Sequence, residues 1–275
     1  MNELPQPGIH SGDADQYFSA SGLSRSMLRE LSFPRTPAHF KARYIDKITG
    51  PEEETDAMRL GTLTHRVVLE PDTCVDAFHV RPDGMKFTTK EGMAWRDAHS
   101  DKPIITAEQS AAMLGMRESV LAHPIARRII ANSLREQNVF ADADGVRLKA
   151  RLDLLPHNGN LLADLKTCED ASEGGFSRAI DSYGYAYQAA FYIDVCNLVG
   201  RQFSQWLFIA VEKNPPYLCA VYALDPQAIE YGRRLYKRDL QLYRTCMEKG
   251  EWPGYSTELQ PISLPEYRKA AMEAL

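Results

Sequence analysis

No stretch of the chain approaches the roughly 20 consecutive apolar residues that a membrane-spanning helix requires. The opening "MNELPQPGIH" also lacks the basic-then-apolar order of a secretory signal, so a cytoplasmic protein with no membrane association is expected. Cysteine is scarce. Cys74, Cys168, Cys196, Cys219 and Cys246 are odd in number and scattered, with no Cys-x-x-Cys pair, which argues against a disulfide framework or a zinc cluster and for reduced, buried thiols. No Gly-x-x-x-x-Gly-Lys phosphate loop occurs, so an ATP-driven motor is not encoded. Positive charge is not in excess either. With 32 Lys and Arg against 37 Asp and Glu the net charge is -5, a balance that runs against a nucleic-acid partner unless the cations are gathered in one place.

They are gathered. Arg25, Arg29, Arg35, Lys41, Arg43 and Lys47 crowd the N-terminal region, and Arg147, Lys149 and Arg151 directly precede Asp153, whereas "PEEETD" (Pro51 to Asp56) collects acid. A basic channel on an acidic body is compatible with this distribution. The 275 residues, 44% hydrophobic and 25% charged, suit a globular chain with a sizeable core.

Hydrophobic periodicity divides the chain. "LSRSMLRELSF" reads as a short helix closed by Pro34, and "TPAHFKARYIDK" as a second with Thr36 as N-cap and Pro37 in its first turn. The acidic Pro51 to Asp56 stretch reads as a linker. "AMRLGTLTHRVVLEP" carries apolar residues at helical spacing up to Pro71, placing His65 and Glu70 on one helix. "KFTTKEGMAWRDAH" reads as loop then helix, and Thr106 to Asn132 as helical. The period then becomes two. In "VRLKARLDLL" Leu148, Ala150, Leu152 and Leu154 alternate with Arg147, Lys149, Arg151 and Asp153, "HNGN" turns, and "LLADLKT" returns as the partner strand of a hairpin. Ser177 to Leu198 reads as a helix, "QWLFIAVEK" and "LCAVYAL" as a second hairpin, and Asp225-Pro226 as the start of a long helix ending near Gly250. A capping-box spacing from Ser263 to Glu266 opens the last segment. The expected class is α/β (α+β), a central mixed β-sheet flanked by helices.

The chemistry concentrates in the first hairpin. Asp164 and Lys166 are two apart on a strand and share a face, Leu165 points to the other, and antiparallel pairing brings Asp153 alongside. Two carboxylates converging with a lysine suit Mg²⁺-dependent phosphoryl chemistry, with the carboxylates holding metal and the lysine orienting or deprotonating the attacking water. An Asp-x-Lys or Glu-x-Lys triplet is expected about once by chance in a chain of this length. Its place on a strand-like run, across a turn from an aspartate, sets it against the alternative of a surface hairpin with an ion pair.

Asp153 followed by Asp164-Leu165-Lys166 resembles the PD-(D/E)xK nuclease core, and the surrounding motifs resemble its RecE-type branch of phage and prophage exonucleases, related to lambda exonuclease and the RecB nuclease domain. "GTLTHRVVLEP" is similar to the upstream helix of that branch, which assigns His65 as a metal ligand. "YAYQAAFYIDV" looks like its Gln-x-x-x-Tyr helix, with Gln188 and Tyr192 one turn apart, and "LSRSMLRELSFPRTPAHF" resembles its opening helix. Departures exist: Leu152 stands where the motif name has proline, and position 164 is Asp, one methylene shorter than Glu.

The resemblance implies a restriction-endonuclease-like core and one nuclease domain over 1–275, with a helical N-terminal part (about 20–135), a catalytic sheet core (about 136–250) and a C-terminal helical tail (about 251–275). It implies a 5′-to-3′ exodeoxyribonuclease acting on the ends of linear double-stranded DNA, releasing mononucleotides and leaving 3′ overhangs for single-strand annealing. His65, Asp153, Asp164 and the Leu165 carbonyl would hold Mg²⁺, two ions in the two-metal version with Mn²⁺ able to substitute. Lys166 would serve the water, Gln188 would position it, and Ser26, Arg25, Arg151 and Tyr192 would meet DNA or its 5′-phosphate. Tyr185 reads as core and Glu70 as structural. The implied partners are a DNA duplex with a free end, further copies of the chain in a ring of three or four, and a single-strand annealing protein. An endonuclease of the same core and a catalytically inactive DNA-end-binding module are the two competing readings.

Overall fold

Residues 5–12, 14–32, 34–50, 55–70 and 77–264 are described by a computed structural model. The chain runs β1 (Gly8–Ser11), α1 (Ala14–Ser19), α2 (Arg25–Arg29), α3 (Pro37–Phe40) continuing as a π-helical turn over Lys41–Ile45, and α4 (Asp56–Leu69). Then come β2 (His79–Val80), α5 (Lys90–Ala98), β3 (Ile104–Ile105), α6 (Ala107–Ala122) and α7 (Pro124–Ala131). The remainder is β4 (Ser133–Ala143), β5 (Val146–Pro156), β6 (Leu161–Cys168), α8 (Glu173–Tyr183), α9 (Tyr185–Leu198), β7 (Gln205–Glu212), β8 (Cys219–Ala223) and α10 (Pro226–Lys249). Six strands form one mixed sheet in the order β1-β4-β5-β6-β7-β8, antiparallel except at β6–β7. That parallel pair requires a crossover, which α8 and α9 supply. No described helix is long and apolar enough to cross a membrane.

Local chemistry explains the elements and their interruptions. Asp144 and Gly145 have φ of 47° and 80°, the two positive values that a two-residue hairpin turn needs, so β4 folds directly back as β5. The helix expected over Ser177–Leu198 is two helices, because Gly184 takes φ 64° at the end of α8 and its N–H closes on the Asp181 and Ile180 carbonyls. The helical stretch expected from Thr106 to Asn132 also breaks, at His123, because Pro124 cannot donate to the preceding turn and starts α7 instead. Thr36 and Pro37 open α3 as expected. Most of the acidic linker, and most of the segment opened by Ser263, lie outside the described residues.

The sheet is buried on both faces. Trp206, Phe208 and Ala210 of β7 pack into one core with α2, α8, α9 and α10, while the alternate Ile209 and Val211 pack into a second with α4, α6 and α7. Each fully buried Leu or Phe in these cores contributes about 1.5–3 kcal/mol. Gly232 of α10 lies so close to the start of α9 that an added Cβ would meet the Ala186 carbonyl at 2.1 Å, so only glycine permits the contact that seats α9 against the sheet. One expectation fails here. Leu148, Ala150 and Leu152 share the α9-side core, but Leu154 joins the α4-side core and Leu155 takes its place, so the alternation slips by one residue at Asp153.

Candidate active site

The slip marks a fork in the sheet. The β5–β6 register records one pair, Leu154 with Ala163, and beyond it the Leu165 N–H donates to the Asp153 side chain, at 2.9 Å from Oδ2. The freed edge of β5 is taken by Leu23, whose N–H donates to the Arg147 carbonyl (2.8 Å) and whose carbonyl accepts from Lys149 N–H (2.9 Å). Splaying of the two strands leaves room between them. Asp153 and Asp164 stand on either side of it.

Asp164 is 1% exposed. Its Oδ1 accepts from Gln188 Nε2 on α9 at 2.8 Å, and Gln188 Oε1 accepts in turn from Arg25 Nη2 at 3.2 Å. Its Oδ2 is 2.6 Å from Lys166 Nζ, a charge-assisted contact to this buried oxygen. Lys166 also lies 4.8 Å from the centre of the Tyr185 ring. Burial pushes the Asp164 carboxyl up to about 7 and the negative Asp153 adds to it, against the pull of Lys166.

On the other side of the fork, His65 Nδ1 lies 3.3 Å from Asp153 Oδ2. Glu136 joins them. One ligand atom from each of His65, Glu136 and Asp153 falls within 4.8 Å of the others. Glu136 sits in the middle of β4 with φ 52°, and its neighbours Arg135 and Gln137 pair with Leu154 and Leu152, so it stands opposite Asp153 with a backbone that a strand does not normally adopt. Such strain costs on the order of 1–3 kcal/mol. Burial pushes the Glu136 carboxyl up to about 8, Asp153 and then Glu70 add to it, and Arg151, whose Nε is 2.8 Å from Glu136 Oε2, opposes them. Burial also pushes the His65 imidazole below its ordinary value, with Asp153 working against that shift. A neutral imidazole and two carboxyls held away from their charged form fit a divalent cation, whose charge would reverse the cost of ionising both acids.

A cavity of about 850 Å³ opens onto this group, lined by Ser26, His65, Arg66, Glu70, Glu136, Arg151, Asp153 and Tyr192 among others. Asp164, Lys166 and Gln188 stand behind that lining, joined to it through the Leu165 backbone. The structure thus brings Asp153, Asp164, Leu165, Lys166, His65 and Gln188 together. Arg25 is engaged with Gln188, and Ser26 Oγ is 3.0 Å from Ser24 Oγ at the start of α2. Arg151 is committed to Glu136, to Asn138 Oδ1 at 2.7 Å and to the Gly12 carbonyl at 3.2 Å, and Tyr192 stacks edge-on against Trp206. Of the N-terminal cations expected to form a basic channel, Arg25, Arg29, Lys41 and Arg43 are bonded within the chain.

Two residues escaped the sequence reading. Glu136 lay in a stretch without clear alternation; the Asp144-Gly145 turn was the signal that would have folded it opposite Asp153. Lys149 was read only as one cation of a basic run, yet it is 6% exposed and its Nζ donates to the Ala20 (2.7 Å) and Tyr17 (3.0 Å) carbonyls.

The model of a PDDEXK-like domain of unknown function (DUF3799) matches residues 24–265. Among solved structures, a "Putative exonuclease" from Eubacterium rectale is similar over 92% of this chain and 97% of its own at 10% identity, with a TM-score of 0.62. A phage related exonuclease from Haemophilus somnus 129PT aligns over 84% of this chain and 97% of its own at 11% identity, with a TM-score of 0.38 that adds no weight. No curated protein matches.

Proposed function

Since the chain belongs to the PDDEXK-like family, we propose that it is a divalent-metal-dependent nuclease acting as a 5′-to-3′ exonuclease on the ends of double-stranded DNA. The observation that carries this reading is the fork itself, where Asp153, Asp164, Lys166 and His65 meet beside a cavity. Mg²⁺ is the metal proposed. His65, Glu136 and Asp153 would hold it, with Asp164 and the Leu165 carbonyl completing the set. Bound there, the cation would supply Lewis-acid polarisation of a phosphoryl oxygen and a lower pKa for a coordinated water.

The chain's own groups have separable parts. Lys166 is fixed between Asp164 and the Tyr185 ring, where its ammonium can orient a water and donate a proton toward a departing oxygen. Gln188 locks Asp164 in one rotamer and passes the constraint to Arg25, so α2, α9 and β6 are held in one geometry. Arg66 lines the cavity and is exposed, a cation available to phosphate. Exonucleolytic action, its polarity, a ring of copies of this chain that encircles duplex and a single-strand annealing partner rest on the family resemblance; the fold shared with the Eubacterium rectale protein agrees with the first.

The test uses linear duplex labelled separately at its 5′ and 3′ ends, beside covalently closed circular duplex, each with Mg²⁺ or EDTA. Mononucleotide release from the 5′ ends of linear DNA, absent in EDTA and absent for Lys166→Ala, is expected. Rapid cutting of the closed circle would replace the exonuclease with an endonuclease. Linear DNA degraded no faster by the wild type than by Lys166→Ala would leave an end-binding module.

A further inference from the structure

The catalytic cavity has a larger neighbour of about 1200 Å³, and Tyr17, Phe18 and Ser26 line both. Phe18 is 72% exposed. A single exposed aromatic is ordinary on a protein surface and by itself means nothing. The way this one is held is unusual. It belongs to the six-residue α1, too short to be stable alone. The end of α1 is clamped by the buried ammonium of Lys149, which donates to the Tyr17 and Ala20 carbonyls and lies 4.9 Å from the centre of the Tyr17 ring. Lys149 sits on the same strand as Asp153, four residues away, and its N–H is bonded to the Leu23 carbonyl, so the clamp ties α1 to the strand that carries the catalytic aspartate. Burying an ammonium costs free energy that the helix-end carbonyls offset. The result is an exposed aromatic carried on a clamped backbone at the wall shared by two cavities, with Tyr17 edge-on to it at 5.4 Å.

We propose that Phe18 is a base-stacking residue at the duplex end, dividing the DNA strand that enters the catalytic cavity from its complement, which lies in the larger cavity. The proposal rests on the nuclease reading and adds a binding role to it. Each cavity falls within or above the volume range of small-molecule sites, enough for an unpaired nucleotide. The larger one is also lined by Tyr44 and by Arg43, whose guanidinium lies 5.5 Å from the Tyr44 ring centre and is bonded to Glu30; aromatic rings accept single strands without sequence preference. A duplex end cannot stack on Phe18 and present one strand to Asp153 unless its terminal pair is opened. Phe18 would therefore matter for paired ends and not for ends already open.

Initial degradation rates are compared for wild type, Phe18→Ala and Phe18→Trp on a blunt duplex and on the same duplex with four mismatched terminal pairs. Phe18→Ala is expected to lose about five- to a hundredfold on the blunt end and less than about twofold on the opened end, with Phe18→Trp close to wild type on both. Equal loss on the two substrates, or no loss on the blunt end, overturns the proposal. Should the wild type degrade neither DNA, the nuclease reading falls, and stacking is read separately from the fluorescence of a terminal 2-aminopurine duplex in EDTA. Quenching by wild type that is lost in Phe18→Ala supports the base-stacking role, and indistinguishable fluorescence refutes it.

Discussion

Replacing Glu136 by Gln is expected to stabilise the metal-free protein at neutral pH while weakening its hold on a divalent cation. The side-chain oxygen of Gln can still accept from Arg151, so the change removes the ionisable proton with little change of shape. The magnitude follows from linkage. The carboxyl has an ordinary value of 4.5 and is pushed up to about 8 in the folded chain, so the folded state retains a proton that the unfolded state releases. Stability therefore falls as pH rises from about 4.5 to about 8, at up to about 1.4 kcal/mol per pH unit, and is flat above that window. At pH 7 the burden of this one group is up to about 3 kcal/mol, a large share of a typical domain's stability. Asp164, raised to about 7, contributes a slope of the same sign that both proteins keep, so the difference between them isolates Glu136. Urea unfolding in EDTA at pH 5, 6, 7 and 8 reads it. The wild type should lose stability relative to Glu136→Gln across the series, and Mg²⁺ should restore more of it to the wild type. Parallel pH dependences for the two proteins would refute the reasoning that burial and Asp153 hold this carboxyl out of its charged form.

Other outcomes follow from the same geometry. Lys166→Met should abolish DNA degradation and destabilise the metal-free protein above pH 7 by about 3 kcal/mol, because removing one partner leaves Asp164 buried and unpaired; urea curves for the variant that match the wild type at pH 8 would contradict this. Gln188→Ala should cut the degradation rate by about 10- to 100-fold with little change in KM for DNA, since it frees Asp164 and Arg25 without removing a group from the cavity lining; a change in KM alone would show that Gln188 binds substrate instead. Because the His65 imidazole is held below its ordinary value of 6.5, Mn²⁺ affinity, measured by calorimetry, should resist acidification to pH 6.5 as far as His65 is concerned and fall below it.

How much of this was visible in the residues depends on the range of the interaction. The β5–β6 hairpin, the β7–β8 hairpin and α4 are written in local periodicity and turn residues, and all are present as expected. Gly184 and Pro124 carried the signals that split two helices, but each lies inside a run whose apolar spacing continues across it, and spacing alone does not weigh a cap against a turn. β1 left no trace, since its four residues gain strand character only by pairing with β4.

The candidate site divides along the same line. Asp153, Asp164 and Lys166 could be placed together because a hairpin fixes their register. His65 and Gln188 required the motif resemblance, because nothing in their own helices says which way those helices pack. Glu136 was reachable by neither route. It faces Asp153 because the Asp144-Gly145 turn sets the β4–β5 register, and it turns toward His65 because its φ of 52° breaks the alternation that a strand reader relies on. A residue that violates its element's backbone rule is invisible to a method built on that rule, yet strain of this kind persists only where the surrounding structure enforces it. Here the enforcement comes from Arg151, Asn138 and the splayed end of β5, the same features that open the fork. The strained strand and the acidic site are one feature of the fold, so a substitution that relaxed Glu136 into a regular strand would withdraw its carboxyl from the group that the fork assembles.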